Sequence, residues 1–206
     1  MPQSRKTNSE IEVKLRVTDI HATARAIKAL AAVSRGRVFE QNTLYDTPQS
    51  DLRRRGWLLR VRMEASGKPG ASSTRIRRVL LTSKAPMQQA HGTRKSPRYK
   101  ERAEREVVAD PSRDWPSSLA ALGFKPAFRY QKYRTSFRLR GLHMDLDETP
   151  VGVFLELEGQ PKAIDRVARA LRYTPADYIR GTYWDVYAAD CHRRGREPKN
   201  MVFAAK

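Results

Sequence analysis

A chain of 206 residues that is 39% hydrophobic suits one domain or at most two small ones, with enough apolar matter for an ordinary core. Its 41 Lys and Arg against 22 Asp and Glu leave a formal charge of +19, which favours polyanionic partners: nucleic acid, an anionic membrane or phosphate-rich small molecules. A single cysteine, Cys191, excludes an internal disulfide framework and a multi-cysteine zinc site.

Taken in chain order, the opening stretch MPQSRKTNSE has no apolar leader, and no later run reaches the length of a membrane span. Secretion and membrane insertion are therefore not expected, and the expected location is the cytoplasm. Residues 10–17 alternate as a strand, and 19–34 read as a helix with Ile20, Ile27 and Leu30 in an apolar stripe. Further strands are predicted at 37–46, 57–64, 75–84 and 101–108, with polar, Gly- and Ser-containing loops at 64–74 and 86–100. A short helix over 115–122 stops at Gly123, and strands follow at 127–139, 143–148 and 153–158. Arg140 and Gly141 make a tight hairpin between two of these. Helices are predicted over 161–172, opening with Pro161, and 175–190, opening with Pro175 and carrying Ile179, Tyr183 and Val186 as its stripe. The first nine residues and the tail RRGREPKNMVFAAK are expected to be loosely held. With no repeat and no boundary signal, the expectation is one domain over 1–206, its core about 10–190 and a basic tail over 191–206.

Charge recurs at period two on nearly every strand. EIEVK sets Glu10, Glu12 and Lys14 opposite Ile11 and Val13; WLLRVRME sets Arg60 and Arg62 opposite Leu59 and Val61. Thr82 with Lys84, Arg102 with Glu104 and Glu106, Lys132 with Arg134 and Ser136, Asp145 with Asp147, and Glu156 with Glu158 repeat the pattern. If all these faces met water, the helices would have little sheet to cover. The fold class expected is therefore α+β: an eight-stranded antiparallel β-barrel, a tunnel with a charged lumen, and helices packed on its apolar outside.

Such a lumen calls for a charged guest, because buried charges must pair, bind metal or stay hydrated. Carboxylates in E-x-E, D-x-D and E-x-E order, without sulfur, suit hard divalent cations. Lysines and arginines among them suit phosphate oxygens. E-x-E on a lone strand reads as a solvated face; two such pairs beside a matching basic set reverse that preference. SGKPG lacks the residue that follows a Walker A lysine, and no kinase or HExxH signature is present. The four histidines show no ligand spacing and are expected to be bystanders, and Tyr178, Tyr183 and Trp184 are expected to pack on the barrel wall.

These blocks resemble those of the CYTH or triphosphate tunnel metalloenzyme family, which includes thiamine triphosphatases, inorganic triphosphatases and class IV adenylyl cyclases. EIEVK looks like its ExExK signature, and FEQNTLYDTPQSDLRRRGWLLRVR is similar to its Q-x-x-x-Y-D-T-P to LRxR block. LTSK, RAERE, KYR and MDLDETPVGVFLELEG follow in the family's order, so the resemblance runs from about residue 10 to 187. It implies an eight-stranded antiparallel tunnel and Mg²⁺ or Mn²⁺ as cofactor. It also implies metal ligation by Glu10, Glu12, Glu156 and Glu158, with Asp145 a fifth ligand. Lys14, Arg60, Arg62, Lys84 and Arg134 would clamp a triphosphate, joined by Arg102 and Lys132. Catalysis would rest on Glu10, Glu12, Lys14, Arg60 and Arg62.

The function expected is divalent-metal-dependent hydrolysis of inorganic tripolyphosphate or a small organic triphosphate. Two alternatives stand beside it: a class IV-type adenylyl cyclase acting on ATP, and a non-catalytic polyphosphate or RNA binder using the basic surface. The expected partner is a triphosphate-containing small molecule, with nucleic acid secondary, no membrane, and a monomer or homodimer.

Overall fold

The computed structural model describes residues 8–66, 75–87 and 98–204. Eight strands form one antiparallel ring: β1 (Asn8–Val17), β2 (Val33–Asp46), β3 (Leu58–Ser66), β4 (Arg75–Pro86), β5 (Lys100–Ala109), β6 (Lys125–Leu139), β7 (Leu142–Thr149) and β8 (Gly152–Gly159). Around the ring the order is β1-β5-β4-β3-β2-β6-β7-β8, and β8 pairs with β1 to close it. Every strand expected from alternation is present. Most of the two expected loops, residues 67–74 and 88–97, lies outside the described residues.

Period two turns one face of each strand inward and the other outward. Outward-facing Val13, Leu15, Leu155, Leu157, Met144, Leu146 and Phe137 form one apolar cluster. It is roofed by α1 (Ile20–Ala29) and α4 (Pro161–Ala170), which contribute Ile27, Ile164, Val167 and Ala168. On another part of the wall, Tyr45, Val61 and Val79 pack beneath Leu119 of α3 (Trp115–Ala121). With α2 (Asp51–Arg54) and α5 (Tyr183–Arg193), five α-helices among the described residues lie outside the ring.

Helix boundaries depart from expectation where a backbone device intervenes. α1 stops at Ala29 because Ala31 takes φ +61, a left-handed stop, and Val33 already pairs with Arg138 of β6. Residues 175–190 do not form one helix. TPADYIRGTYWD holds two capping boxes, Thr174 with Asp177 and Thr182 with Asp185. The first starts only a 3₁₀ turn over Pro175–Asp177. Between the boxes the Ile179 backbone pairs with Lys14, N–H to O at 3.1 Å and 2.8 Å, so the helix begins at Tyr183.

The tail is also docked rather than loose up to Phe203. β6 is 15 residues long and β7 pairs only with its second half, from Tyr133 onward. Met201 takes up the uncovered edge: its carbonyl accepts from Gln131 and its N–H donates to Arg129, both at 2.9 Å, and its side chain is 1% exposed. At the other turn the expectation holds, with Arg140 at φ +24 and Gly141 at φ +78 linking β6 to β7.

Candidate active site

The twelve side chains singled out from sequence, Glu10, Glu12, Lys14, Arg60, Arg62, Lys84, Arg102, Lys132, Arg134, Asp145, Glu156 and Glu158, all line one cavity of about 520 Å³ inside the ring. Their inward positions follow from the register: Glu12 lies across from Glu158, Lys14 from Glu156, Asp145 from Glu156, and Glu104 from Lys84. Strand order, rather than sequence distance, decides which cation meets which anion.

Along the wall made by β2, β6 and β7 the charges interlock. Lys132 Nζ lies 2.8 Å from Asp147 and 3.5 Å from Glu40. Arg134 spans four acids, Asp145 at 2.6 Å, Asp147 at 2.6 Å, Glu40 at 3.6 Å, and Glu156. Arg62 reaches Glu40 at 3.2 Å and donates to Asn42 Oδ1 at 2.9 Å, while Lys14 donates to Glu156. Lys132, Glu40 and Asp147 are at most 1% exposed. Burial works to raise the Glu40 carboxyl, but Arg62, Lys132 and Arg134 outweigh it and hold it well below the usual range.

The wall made by β1, β5, β4 and β3 is more open, its acids being 10% to 29% exposed. Lys84 Nζ sits 2.6 Å from Glu10 and 3.0 Å from Glu104, and Lys100 lies 2.5 Å from Glu12. Arg60 faces Glu106 at 3.5 Å and donates to Thr82 Oγ1 at 3.1 Å. Arg102 donates to the Gly56 carbonyl at 3.3 Å. Glu158 makes no ion pair or hydrogen bond among the described residues. Burial, with Glu12 and Glu104 close by, pushes the Glu10 carboxyl up to about 8. Burial also raises Glu158. Burial presses Glu12 upward as well, yet Lys100 wins and holds it at about 2.

At the end of the tunnel beyond Lys14 and Lys132, the inward positions turn aromatic. Phe128, Tyr130 and Phe154 pack against Tyr183 and Val186 of α5. The expectation that Tyr183 packs on the outer wall is corrected: its ring floors the cavity, its hydroxyl donates to Asp147 at 2.6 Å, and Lys14 lies 4.4 Å over the ring. Two flanking backbone tethers, Ile179 to Lys14 and Met201 to β6, hold it there.

His143 is not a bystander either. It lines the cavity, and its Nε2 lies 2.7 Å from Asp145 Oδ1, the oxygen that also accepts from Ser136 at 2.6 Å. Sequence reasoning left Glu40, Lys100, Glu104, Glu106 and Asp147 out of the candidate set, although each shares the inward parity of its strand. Parity was the signal that could have found them. Nine Lys or Arg and seven Asp or Glu line the cavity. With buried Glu40 and Asp147 behind these, the formal charges of the tunnel group balance, nine cations against nine acids. Apart from Glu158 the carboxylates are held by cations, and among the described residues no three His, Cys, Asp or Glu are grouped to hold a metal ion.

Solved structures share this architecture. A protein from Pyrococcus horikoshii is 25% identical with TM-score 0.65, over 86% of this chain and 98% of its own. A second protein from the same organism is 21% identical with TM-score 0.67, over 88% and 99%. An adenylyl cyclase candidate from Hippeastrum, named for a dominant triphosphatase activity, is 19% identical with TM-score 0.55, over 92% and 97%. At 19% and 21% identity the likeness shows the fold alone. No curated protein matches the chain. The CYTH domain model matches residues 8–183, and with that span of an eight-stranded charged tunnel the chain belongs to the CYTH family.

Proposed function

We propose that this tunnel is a divalent-metal-dependent hydrolase of small triphosphate-containing molecules. The observation that carries the reading is the convergence of Lys14, Arg60, Arg62, Lys84, Arg102, Lys132 and Arg134 on one cavity large enough for a triphosphate, each close to a carboxylate-bearing strand. The neutrality of the tunnel makes the guest's composition specific. A bare polyphosphate would have to strip cations from their carboxylates and leave those acids buried and unpaired. A polyphosphate carrying divalent cations exchanges partners instead: lysines and arginines turn to phosphate oxygens and the freed carboxylates turn to metal.

The donor set fits Mg²⁺ or Mn²⁺. Glu10 and Glu12 share the inward face of β1 and Glu12 lies across from Glu158 of β8, all oxygen donors, and Glu10 and Glu158 are carboxyls that burial and neighbouring acids disfavour as anions until a cation joins them. Glu156, two residues from Glu158 on β8, and Asp145, across from it on β7, complete the candidate ligands. A divalent cation bound there supplies charge neutralisation at phosphate oxygens and a more acidic bound water.

The remaining work falls to the chain's own residues. Lys14, Arg60, Arg62, Lys84 and Arg134 hold the phosphates in line and absorb the charge that develops on the leaving phosphate, with Arg102 and Lys132 in support. Asp147 and Glu40 orient Lys132 and Arg134 from behind. The aromatic floor built on Tyr130, Phe154 and Tyr183 excludes bulk water from one end.

The deciding experiment is a phosphorus NMR time course with tripolyphosphate, thiamine triphosphate and ATP, each with Mg²⁺ and with Mn²⁺. Metal-dependent release of orthophosphate from at least one supports the reading. Cyclic AMP and pyrophosphate from ATP would replace it with a cyclase, and no turnover of any of the three would end it.

A further inference from the structure

Because the tunnel group is neutral, the whole formal surplus of +19 belongs to the rest of the chain. A triphosphate in the tunnel does not account for it. Outside the tunnel the acids are largely spoken for: Asp19, Asp114, Asp177 and Asp185 cap helix or turn starts, and Asp190 is held by Arg193 and Arg194.

Six of the cations outside the tunnel stand on or at the end of the two helices that roof the same apolar cluster. On α1, Arg25 and Lys28 stand one turn apart; on α4, Lys162, Arg166 and Arg169 recur at i, i+4 and i+7, and Arg172 follows at the helix end. All six are exposed, and none makes a side-chain hydrogen bond or ion pair among the described residues. The one acid within α1 or α4, Asp165, is taken by the Tyr99 and Tyr178 hydroxyls at 2.7 Å and 2.9 Å and by Arg98 at 3.8 Å. Asp165 is therefore engaged elsewhere, and Asp19, the carboxylate that Arg25 feels, is occupied with capping α1.

We propose that the α1–α4 face binds the phosphate backbone of a nucleic-acid duplex. Four of the six cations are arginines, whose forked donors match phosphate oxygens, and two basic rows on neighbouring elements suit a regular array of phosphates. The large exposed apolar residues, Val33, Trp57, Ile76, Val107, Val108, Leu122 and Val202, all lie off these two helices. The face thus offers nothing to insert among lipid chains and no aromatic ring on which an unpaired base could stack. What it can recognise is a duplex backbone, without reading base sequence.

The test is fluorescence anisotropy of the full chain with two labelled duplexes of unrelated sequence, over a range of potassium chloride. The expected result is equal affinity for both duplexes and a log–log salt slope of about −5, from about −0.9 per phosphate contact over six contacts. Arg166→Glu with Arg169→Glu should flatten that slope by about 2 and weaken both duplexes alike, while leaving any tunnel phosphate release unchanged. Arg25→Gln with Lys28→Gln gives a second, independent readout should the first variant fold poorly. Glu12→Gln should leave duplex binding intact, so failure here and failure of the tunnel reading are distinguishable. The proposal falls if no salt-dependent duplex binding is seen, if both helix variants bind as the parent does, if Glu12→Gln removes binding, or if anionic phospholipid vesicles bind and duplexes do not.

Discussion

The two walls of the tunnel use the same residue types to opposite ends. On the β2–β6–β7 wall, Lys132, Arg134, Glu40 and Asp147 saturate one another at almost no exposure. On the β1–β5–β4 wall, Glu10, Glu12, Glu104 and Glu106 are 10% to 29% exposed, and Glu158 beside them makes no ion pair or hydrogen bond among the described residues. A saturated buried network resists change, since removing one member strands a charge in a low-dielectric interior. A more exposed one is readier to exchange partners. The difference teaches that the proposed site combines a wall whose charges are held fixed with one whose charges are more easily re-paired.

The sharpest break in this contrast is Lys132→Met. It should strip buried Glu40 and Asp147 of one of their cations and cost about 3–5 kcal/mol of stability in urea unfolding. A loss under about 1 kcal/mol would erase the distinction between the walls. On the other wall, Glu12→Gln should lower metal-dependent phosphate release by about 10² or more with an unfolding midpoint near that of the parent; kinetics and unfolding measured on one preparation would check both halves. Tyr183→Phe removes the hydroxyl that donates to Asp147, and a loss of about 1.5–3 kcal/mol is expected because the acceptor is charged.

Acid should weaken the saturated wall. Glu40 is held below the ordinary carboxylate value of 4.5, so its ionised form contributes stability that is present above that value and is lost as pH falls through it toward the depressed folded value. Urea midpoints recorded at falling pH should drop in the parent and drop less steeply in Glu40→Gln. Smallest of all should be Arg37→Ala on the outer surface. Its ion pair with Glu148 is 2.9 Å long but 48% and 33% exposed, so a loss of at most about 1 kcal/mol is expected.

Much of this molecule was readable before its structure. Glu10, Arg60, Lys132 and Glu156 face inward because their strands alternate charge with bulk, and alternation is a local property. The hairpin at Arg140 and Gly141 was legible for the same reason. Elements whose shape depends on a distant partner were not. Nothing local in YIRG says that Ile179 will pair with Lys14 and postpone α5 to Tyr183. Nor does KNMVF announce that Met201 will fill the bare edge of β6, because that edge exists only once β7 has proved shorter than β6. His143 looked idle since its meaning comes from Asp145, its neighbour across one pleat.

By itself, then, the sequence determined that eight strands would each carry a charged and an apolar face, and that helices would need the apolar ones; side-chain alternation requires no knowledge of which strand lies beside which. The tertiary structure alone decided that β1 sits between β5 and β8, so that Glu12 meets Lys100 and Glu158, and that Tyr183 floors the tunnel. Ion pairing falls off within a few ångströms, and only ring closure brings residues so far apart in the chain within that range.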